Sequence, residues 1–253
     1  MKKIVSVINY CTNDYVFLKP CIDAALQFSE KVIVPYCTSF HDGTPENKAL
    51  QERSVSENPA AEFIEFEYDP NQSSRWHCNV SRKIGMEVGG DVADYFMFLD
   101  TDEIVVPDQF KVWWEQQRAN LLESYKLGNY FYFRDFKYQC VDLQDSIALV
   151  KKGEFTTDPY IFHNDERSGV FDYVPHHRRA RNCTLDGKPF IHHYSWVRSK
   201  EAMLKKVKAW SHNKDKDWVS LVNKEFEQPF RGKDVIFGFD YVAVTPYLDI
   251  SIK

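Results

Sequence analysis

The alternation of apolar and polar positions predicts strands and helices in regular succession over the first part of the chain. Predicted strands cover residues 3–10, 31–36, 62–68 and 95–99. Predicted helices run from Asn13 or Asp14 to residue 30, over 48–57 and over 74–89. Strands that alternate with helices favour a mainly parallel sheet with helices on both faces. We therefore predict an α/β protein with a Rossmann-like central sheet.

After residue 126 the pattern of alternating strands and helices changes. Following a predicted helix over 112–126, we predict consecutive strands over 130–139 and 146–151, and a further helix over 200–210. This half is expected to be rich in β-structure. With 253 residues, 43% of them hydrophobic, the chain can bury one large core, and a single domain over 1–253 is the expected organisation.

Charge and hydropathy disfavour several classes of partner. There are 32 basic and 37 acidic residues, a formal net charge of -5, which gives no sign of a nucleic-acid ligand. No apolar run approaches the ~20 residues of a membrane span, so we expect no integral membrane segment. The amino-terminal apolar run is too short for a signal peptide, and the six cysteines contain no C-x-x-C pair. We expect a cytoplasmic protein with reduced thiols.

The stretch YFMFLDTDE, residues 95–103, places acidic residues directly after a buried strand. In extended backbone, residues i and i+2 face the same side, so Asp100 and Asp102 converge beyond the sheet. Ligands of such sheets bind past the carboxyl ends of the strands. Paired carboxylates suit Mg²⁺ or Mn²⁺, which also bind substrate phosphates. A loop with helix-capping acids is the alternative; it accounts for Asp108 but not for the pair.

The order of elements that ends in FLDTDE resembles the nucleotide-sugar domain of GT-A glycosyltransferases, particularly the family-2-like enzymes. Arg82-Lys83-Ile84-Gly85 is similar to their Arg-Asn-x-Gly pattern, with Lys83 in place of Asn. The segment IHHYSWVRSKEAMLKKVKAW, residues 191–210, resembles a His-x-x-Trp stretch found late in such enzymes. The resemblance implies a nucleotide-sugar-binding half over about 1–110 and an acceptor-side half over about 111–253.

The resemblance also implies an activity. The protein would transfer a hexosyl or deoxyhexosyl group from a nucleoside-diphosphate sugar to an acceptor hydroxyl, with inversion, in glycan biosynthesis. Asp100 would face the ribose or a metal-bound water, and Asp102 would bind Mn²⁺ or Mg²⁺. His192 or His193 would complete the coordination, although either histidine could instead be packed or on the surface.

Further roles follow from the same resemblance. Asn9 and Tyr10 would meet the base and ribose, and Arg82 would reach a phosphate or the base unless it lies on a solvated helix face. Asp42 would hydrogen-bond the base, or it is only a turn residue, since Asp-Gly is a turn former. For the general base the candidates are Asp165, which we favour, and Glu166 or Asp172; all could equally be surface acids. The acceptor could be a glycan, a protein or a lipid-linked sugar.

Two other functions remain open at this point. A nucleotidyltransferase shares an α/β sheet and an acidic metal site, but it would require a glycine-rich, basic loop after the first strand. The loop here, NYCTNDY over residues 9–15, has neither glycine nor a basic residue. A non-catalytic sugar-binding protein could keep the same fold, although the intact acid pair argues against it.

Overall fold

The computed structural model describes residues 2–153, 166–248 and 250. Its strands are β1 (Ile4–Asn9), β2 (Lys31–Cys37), β3 (Glu62–Phe66), β4 (Tyr95–Asp100), β5 (Glu103–Val105), β6 (Ser124–Phe133), β7 (Asp135–Cys140), β8 (Gln144–Lys151), β9 (Arg179–Cys183), β10 (Ile191–Trp196) and β11 (Tyr241–Ala243). Its helices are α1 (Tyr15–Ala25), α2 (Lys48–Glu57), α3 (Ser74–Gly89), α4 (Pro107–Gln117), α5 (Glu166–Asp172), α6 (Lys200–Ala209) and α7 (Trp218–Glu225).

The strands of the first half form a parallel sheet in the order β3-β2-β1-β4. Their carboxyl ends therefore meet at one edge, where Asn9 pairs with Asp100. The sheet continues through the antiparallel strands β8, β6, β7 and β11. This curled α/β sheet, with a β-rich second half, confirms the predicted fold class.

Two hydrophobic layers enclose the sheet, because successive side chains of β1 and β4 point to opposite faces. On one face Val5, Val7 and Phe98 belong to the cluster that packs under α3. On the other, Ile8 and Leu99 join the cluster of α1 and α4. A Cβ on Gly85 would lie 2.3 Å from Val7 Cγ1, so the glycine of the Arg-Lys-Ile-Gly motif permits α3 to approach β1.

The helix that we predicted over 112–126 is wrong in its second half. Helix α4 ends at Gln117, and strand β6 begins at Ser124. Nine of the ten residues of β6 are buried, and a continuous buried run cannot be assigned to strand or helix by periodicity alone. The strand predicted over 130–139 is in fact a hairpin of β6 and β7 that turns at Arg134, where φ is 65°.

Strand β10 forms the start of the segment 191–210, which contains the two neighbouring histidines. It lies between β5, to which it is antiparallel, and β6, to which it is parallel. This pairing brings His193 opposite Glu103, three residues after Asp100. All six cysteines lie in the described part of the chain and none forms a disulfide. Among the described helices, none has the length and apolar character needed to span a membrane.

Candidate functional site

A cavity of about 550 Å³ opens at the carboxyl edge of the parallel strands. This is the edge where open α/β sheets bind ligands, and the volume falls within the roughly 300–1,000 Å³ typical of small-molecule sites. Its walls come from the ends of β1, β2, β3 and β4, from α3, and from β10, α6 and the segments that follow α6. Asp100, Asp102 and His193 lie between these two groups of elements and line the cavity.

Asp100 ends strand β4 with about a third of its side chain exposed. Arg167 Nη2 lies 3.1 Å from Asp100 Oδ2, and Arg82 Nη2 lies 3.5 Å from Oδ1. Both guanidinium groups line the cavity beside this carboxylate. The Asp100 carboxylate can accept a hydrogen bond from a ribose hydroxyl, and the two arginines can donate to a phosphate.

Asp102 is almost fully buried and has two cationic partners. Lys206 Nζ and Arg198 Nη2 each donate to Asp102 Oδ2 at 3.0 Å. Burial alone would raise the pKa of Asp102, but Lys206, His193 and Arg198 outweigh that effect and hold the pKa well below its usual range. Asp102 is therefore ionised in this site. Arg198 also binds Asp14, in the turn after β1.

Glu103 faces the protein interior. Its carboxylate is fully buried and pairs with Arg167. It also accepts a hydrogen bond from the Asp100 backbone N–H at 2.7 Å and one from Ser146 Oγ at 3.1 Å. Glu103 thus fixes the backbone of the acidic turn and anchors Arg167 beside Asp100.

The structure brings one of the two neighbouring histidines to the cavity. His193 lines it, with Nε2 3.6 Å from Asp102 Oδ1. His192 points to the other face of β10, where Nδ1 lies 2.8 Å from the Tyr132 hydroxyl and the ring stacks on Tyr247. Burial lowers the pKa of His192 to about 4. The structure therefore does not bring His192 into the site, because adjacent residues of a strand face opposite sides.

The residues predicted to contact the nucleoside lie in two places. Asn9, Tyr10 and Arg82 line the cavity, and the Tyr10 hydroxyl is 2.7 Å from Ser54 Oγ. Asp42 does not line it: the side chain is exposed and accepts a hydrogen bond from the Thr44 N–H at 2.9 Å. Asp42 is thus a turn-forming residue here, as the alternative interpretation of Asp-Gly had it.

The predicted general bases fall at the edge of the described structure. Asp165 lies outside the described residues, and Glu166 is described only as the first residue of helix α5. The next residue, Arg167, contacts Asp100 and Glu103, so helix α5 begins beside the acidic turn. Asp172, at the far end of that helix, pairs with Arg179 at 2.9 Å and does not line the cavity.

Asp102 and His193 could supply only part of the coordination shell of a divalent cation. Asp102 Oδ1 and His193 Nε2 are 3.6 Å apart, too far for a hydrogen bond but close to the roughly 3 Å between neighbouring ligands of an octahedral ion. Within the described residues no group of three His, Cys, Asp or Glu side chains is arranged to hold a metal. An ion at Asp102 and His193 would therefore need phosphate oxygens and water as its remaining ligands, which is usual for Mg²⁺.

Several residues of the site had no assigned role at the sequence level. Lys206 and Arg198 neutralise Asp102, and Ser195 accepts from Lys206 at 2.8 Å. Glu46 lines the cavity; burial raises the pKa of its carboxyl, partly offset by hydrogen bonds from Thr12. Lys206, Arg198 and Ser195 all lie in the segment 191–210. Only the pairing of strands that are distant in sequence shows which basic residues of this segment contact Asp102.

Comparisons with known proteins identify the fold. No family model matches the sequence, and no curated protein is significantly similar to it. A solved structure of 4-diphosphocytidyl-2C-methyl-D-erythritol synthase matches 80% of this chain and 95% of its own, with 12% identity and a TM-score of 0.51. The S. aureus protein TarS, residues 1–349 in complex with UDP, matches 89% of this chain and 72% of its own, with 10% identity and a TM-score of 0.51. The chain therefore has a GT-A-like fold.

Proposed function

We propose that the protein is a family-2-like glycosyltransferase that moves a hexosyl or deoxyhexosyl group from a nucleoside-diphosphate sugar to an acceptor hydroxyl. One observation carries the proposal. Asp100 and Asp102 follow strand β4 into a cavity that also holds Arg82, Arg167 and Lys206. Acids and bases at the carboxyl edge of a GT-A-like sheet suit a ligand that carries both hydroxyls and a diphosphate. The structure of TarS with UDP, on the same fold, is consistent with such a donor.

Each side chain has a separate role in the proposed sugar transfer. The acceptor hydroxyl oxygen forms a bond to the anomeric carbon on the face opposite the leaving group, and the bond from that carbon to the diphosphate breaks. Its electron pair remains on the nucleoside diphosphate, where Lys206 and Arg82 or Arg167 stabilise the charge. When bound by Asp102 and His193, Mn²⁺ or Mg²⁺ supplies further positive charge to the phosphate oxygens. Asp100 would orient the ribose or a metal-bound water.

The acceptor proton requires a base. We keep Asp165 and Glu166 as the candidates, and the start of α5 beside Asp100 supports them. Asn9 and Tyr10 are assigned to the base and ribose because they line the cavity at the end of β1. A cytoplasmic location and a role in glycan biosynthesis belong to the same proposal.

A screen of nucleotide sugars without an acceptor tests the activity. The protein is incubated with Mn²⁺ and UDP-, GDP-, CDP- or dTDP-sugars, and the products are separated by anion-exchange chromatography after the metal is chelated with EDTA. We expect slow release of a nucleoside diphosphate and free sugar, because water can replace the acceptor. In a parallel incubation with a nucleoside triphosphate and a sugar phosphate, release of pyrophosphate would instead indicate a nucleotidyltransferase. No turnover of any donor would indicate a non-catalytic protein.

A further inference from the structure

The cavity extends beyond the acids along an aromatic wall. This wall is lined by Phe131, Trp196, Trp210, Trp218, Phe237 and Phe239. Trp196 and Trp218 are nearly buried and form its base, whereas Trp210, Phe237 and Phe239 keep part of their surface exposed. These three side chains pack against the hydrophobic cluster that contains Trp196 and Trp218, and they also line the cavity.

The loop that carries Phe237 and Phe239 is held by the buried carboxylate of Asp234. Asp234 accepts hydrogen bonds from the backbone N–H groups of Phe237, Gly238 and Phe239 and from the Tyr241 hydroxyl. Gly238 has φ +76°, which favours glycine. The rings of Phe237 and Phe239 stack with centroids 5.5 Å apart and 19° between their planes. The loop therefore presents both rings to the cavity in a fixed arrangement.

Polar groups accompany the aromatic rings. Asp215, Lys216 and His212 line the same cavity, and His212 Nδ1 lies 2.8 Å from Asp215. The Trp210 indole N–H is buried without a hydrogen-bond partner among the described residues, although this side chain lines the cavity. A ligand oxygen would satisfy such a donor.

We infer that the aromatic wall is the acceptor subsite and that the acceptor is a carbohydrate; this rests on the proposed function. A sugar ring has an apolar C–H face that packs on flat aromatic side chains, and hydroxyls that bond to carboxylates, amines and an indole N–H. An alkyl chain would use the rings but leave the buried Trp210 indole N–H without a hydrogen-bond partner. Because the wall and the acids share one cavity, a hydroxyl of a sugar bound on the wall can reach the donor.

Ligand-observed NMR tests the subsite directly. Saturation transfer is measured from the protein, with UDP and the diamagnetic ion Mg²⁺ present, to methyl glycosides of glucose, galactose, mannose and N-acetylglucosamine, and to n-octanol. We expect transfer to the ring protons of at least one glycoside and a loss of at least fivefold in a Phe237→Leu, Phe239→Leu double variant. Phe230→Leu is the matched control, because Phe230 belongs to the same cluster but does not line the cavity.

The possible results test the carbohydrate subsite separately from the proposed nucleotide-sugar donor, on which it rests. UDP affinity, measured by calorimetry, should change less than twofold in both variants. Transfer to no glycoside, transfer to n-octanol alone, or equal transfer in the double variant overturns the carbohydrate subsite. Loss of UDP binding in the double variant also overturns it, since the rings would then bind the nucleotide. If no nucleoside diphosphate binds the wild-type protein while glycosides bind the aromatic wall, the donor proposal fails and the subsite stands.

Discussion

Lys206 changes the chemistry expected of Asp102. The sequence identified Asp100 and Asp102 from their position after an apolar strand, and both line the cavity. It did not reveal that Lys206 and Arg198, about a hundred positions later, donate to Asp102. Such pairing depends on the register of β10 between β5 and β6, which no local pattern encodes. The sequence likewise left open which of His192 and His193 faces the site.

Replacement of Lys206 should change the affinity for a nucleoside diphosphate differently in the absence and in the presence of metal. Lys206→Met removes a cation from the cavity and leaves the Asp102 carboxylate with Arg198 but without its lysine partner. We expect the affinity for the best-binding nucleoside diphosphate to fall about tenfold in EDTA, the loss of one charge-assisted contact. The gain in affinity on adding Mn²⁺ should become larger than in wild type, as measured by calorimetry. Lys208→Met, an exposed position of the same helix, is the control; an equal loss in both variants would remove Lys206 from the phosphate site.

At the scale of elements, prediction succeeded where periodicity is strong and local. Helices α2 and α3 have the predicted bounds, and the parallel strands differ by one or two residues at their ends. Strands β5, β9, β10 and β11 were missed because each is short or pairs with distant sequence.

Helix α3 also orders the loop before it: His77 is fully buried, and its ring stacks on Tyr68 at 4.6 Å.

The protonation of His77 should make this helix start sensitive to pH. Its Nε2 accepts from the Asp69 N–H at 3.1 Å and its Nδ1 donates to the Ser73 carbonyl at 3.0 Å, so the neutral ring satisfies both contacts. Burial lowers the pKa of His77 from its ordinary 6.5. The unfolded chain therefore binds the proton more readily, and stability is lost as pH falls below about 6.5 towards the lowered folded value.

Urea unfolding between pH 7.5 and 5 measures this effect. We expect the free energy of unfolding to fall less steeply with decreasing pH in His77→Gln than in wild type. The exposed His177→Gln serves as control and should retain the wild-type slope. A wild-type slope in His77→Gln would show that protonation of His77 does not limit stability.

Across the whole molecule, one sheet joins the two halves and the site forms where they meet. Asp100 and Asp102 come from the first half, whereas Arg167, His193 and Lys206 come from the second. The sequence predicted the α/β class because that class follows from repeated local patterns. It could not predict the cavity walls, since these arise from contacts between residues far apart in the chain.

Calorimetric titration of nucleoside diphosphates tests the central claim most directly. UDP, GDP, CDP and ADP are titrated with Mn²⁺ or with EDTA into wild type, Asp102→Asn and Asp108→Asn, after thermal melts establish that each variant is folded. Asp108 is the control because it is a highly exposed acid near the start of helix α4. We predict that at least one diphosphate binds wild type more tightly with Mn²⁺, that Asp102→Asn abolishes this gain, and that Asp108→Asn retains it. Two results would contradict the claim that Asp102 takes part in metal-dependent nucleotide binding. One is that no diphosphate binds, and the other is that neither Mn²⁺ nor Asp102→Asn changes the affinity.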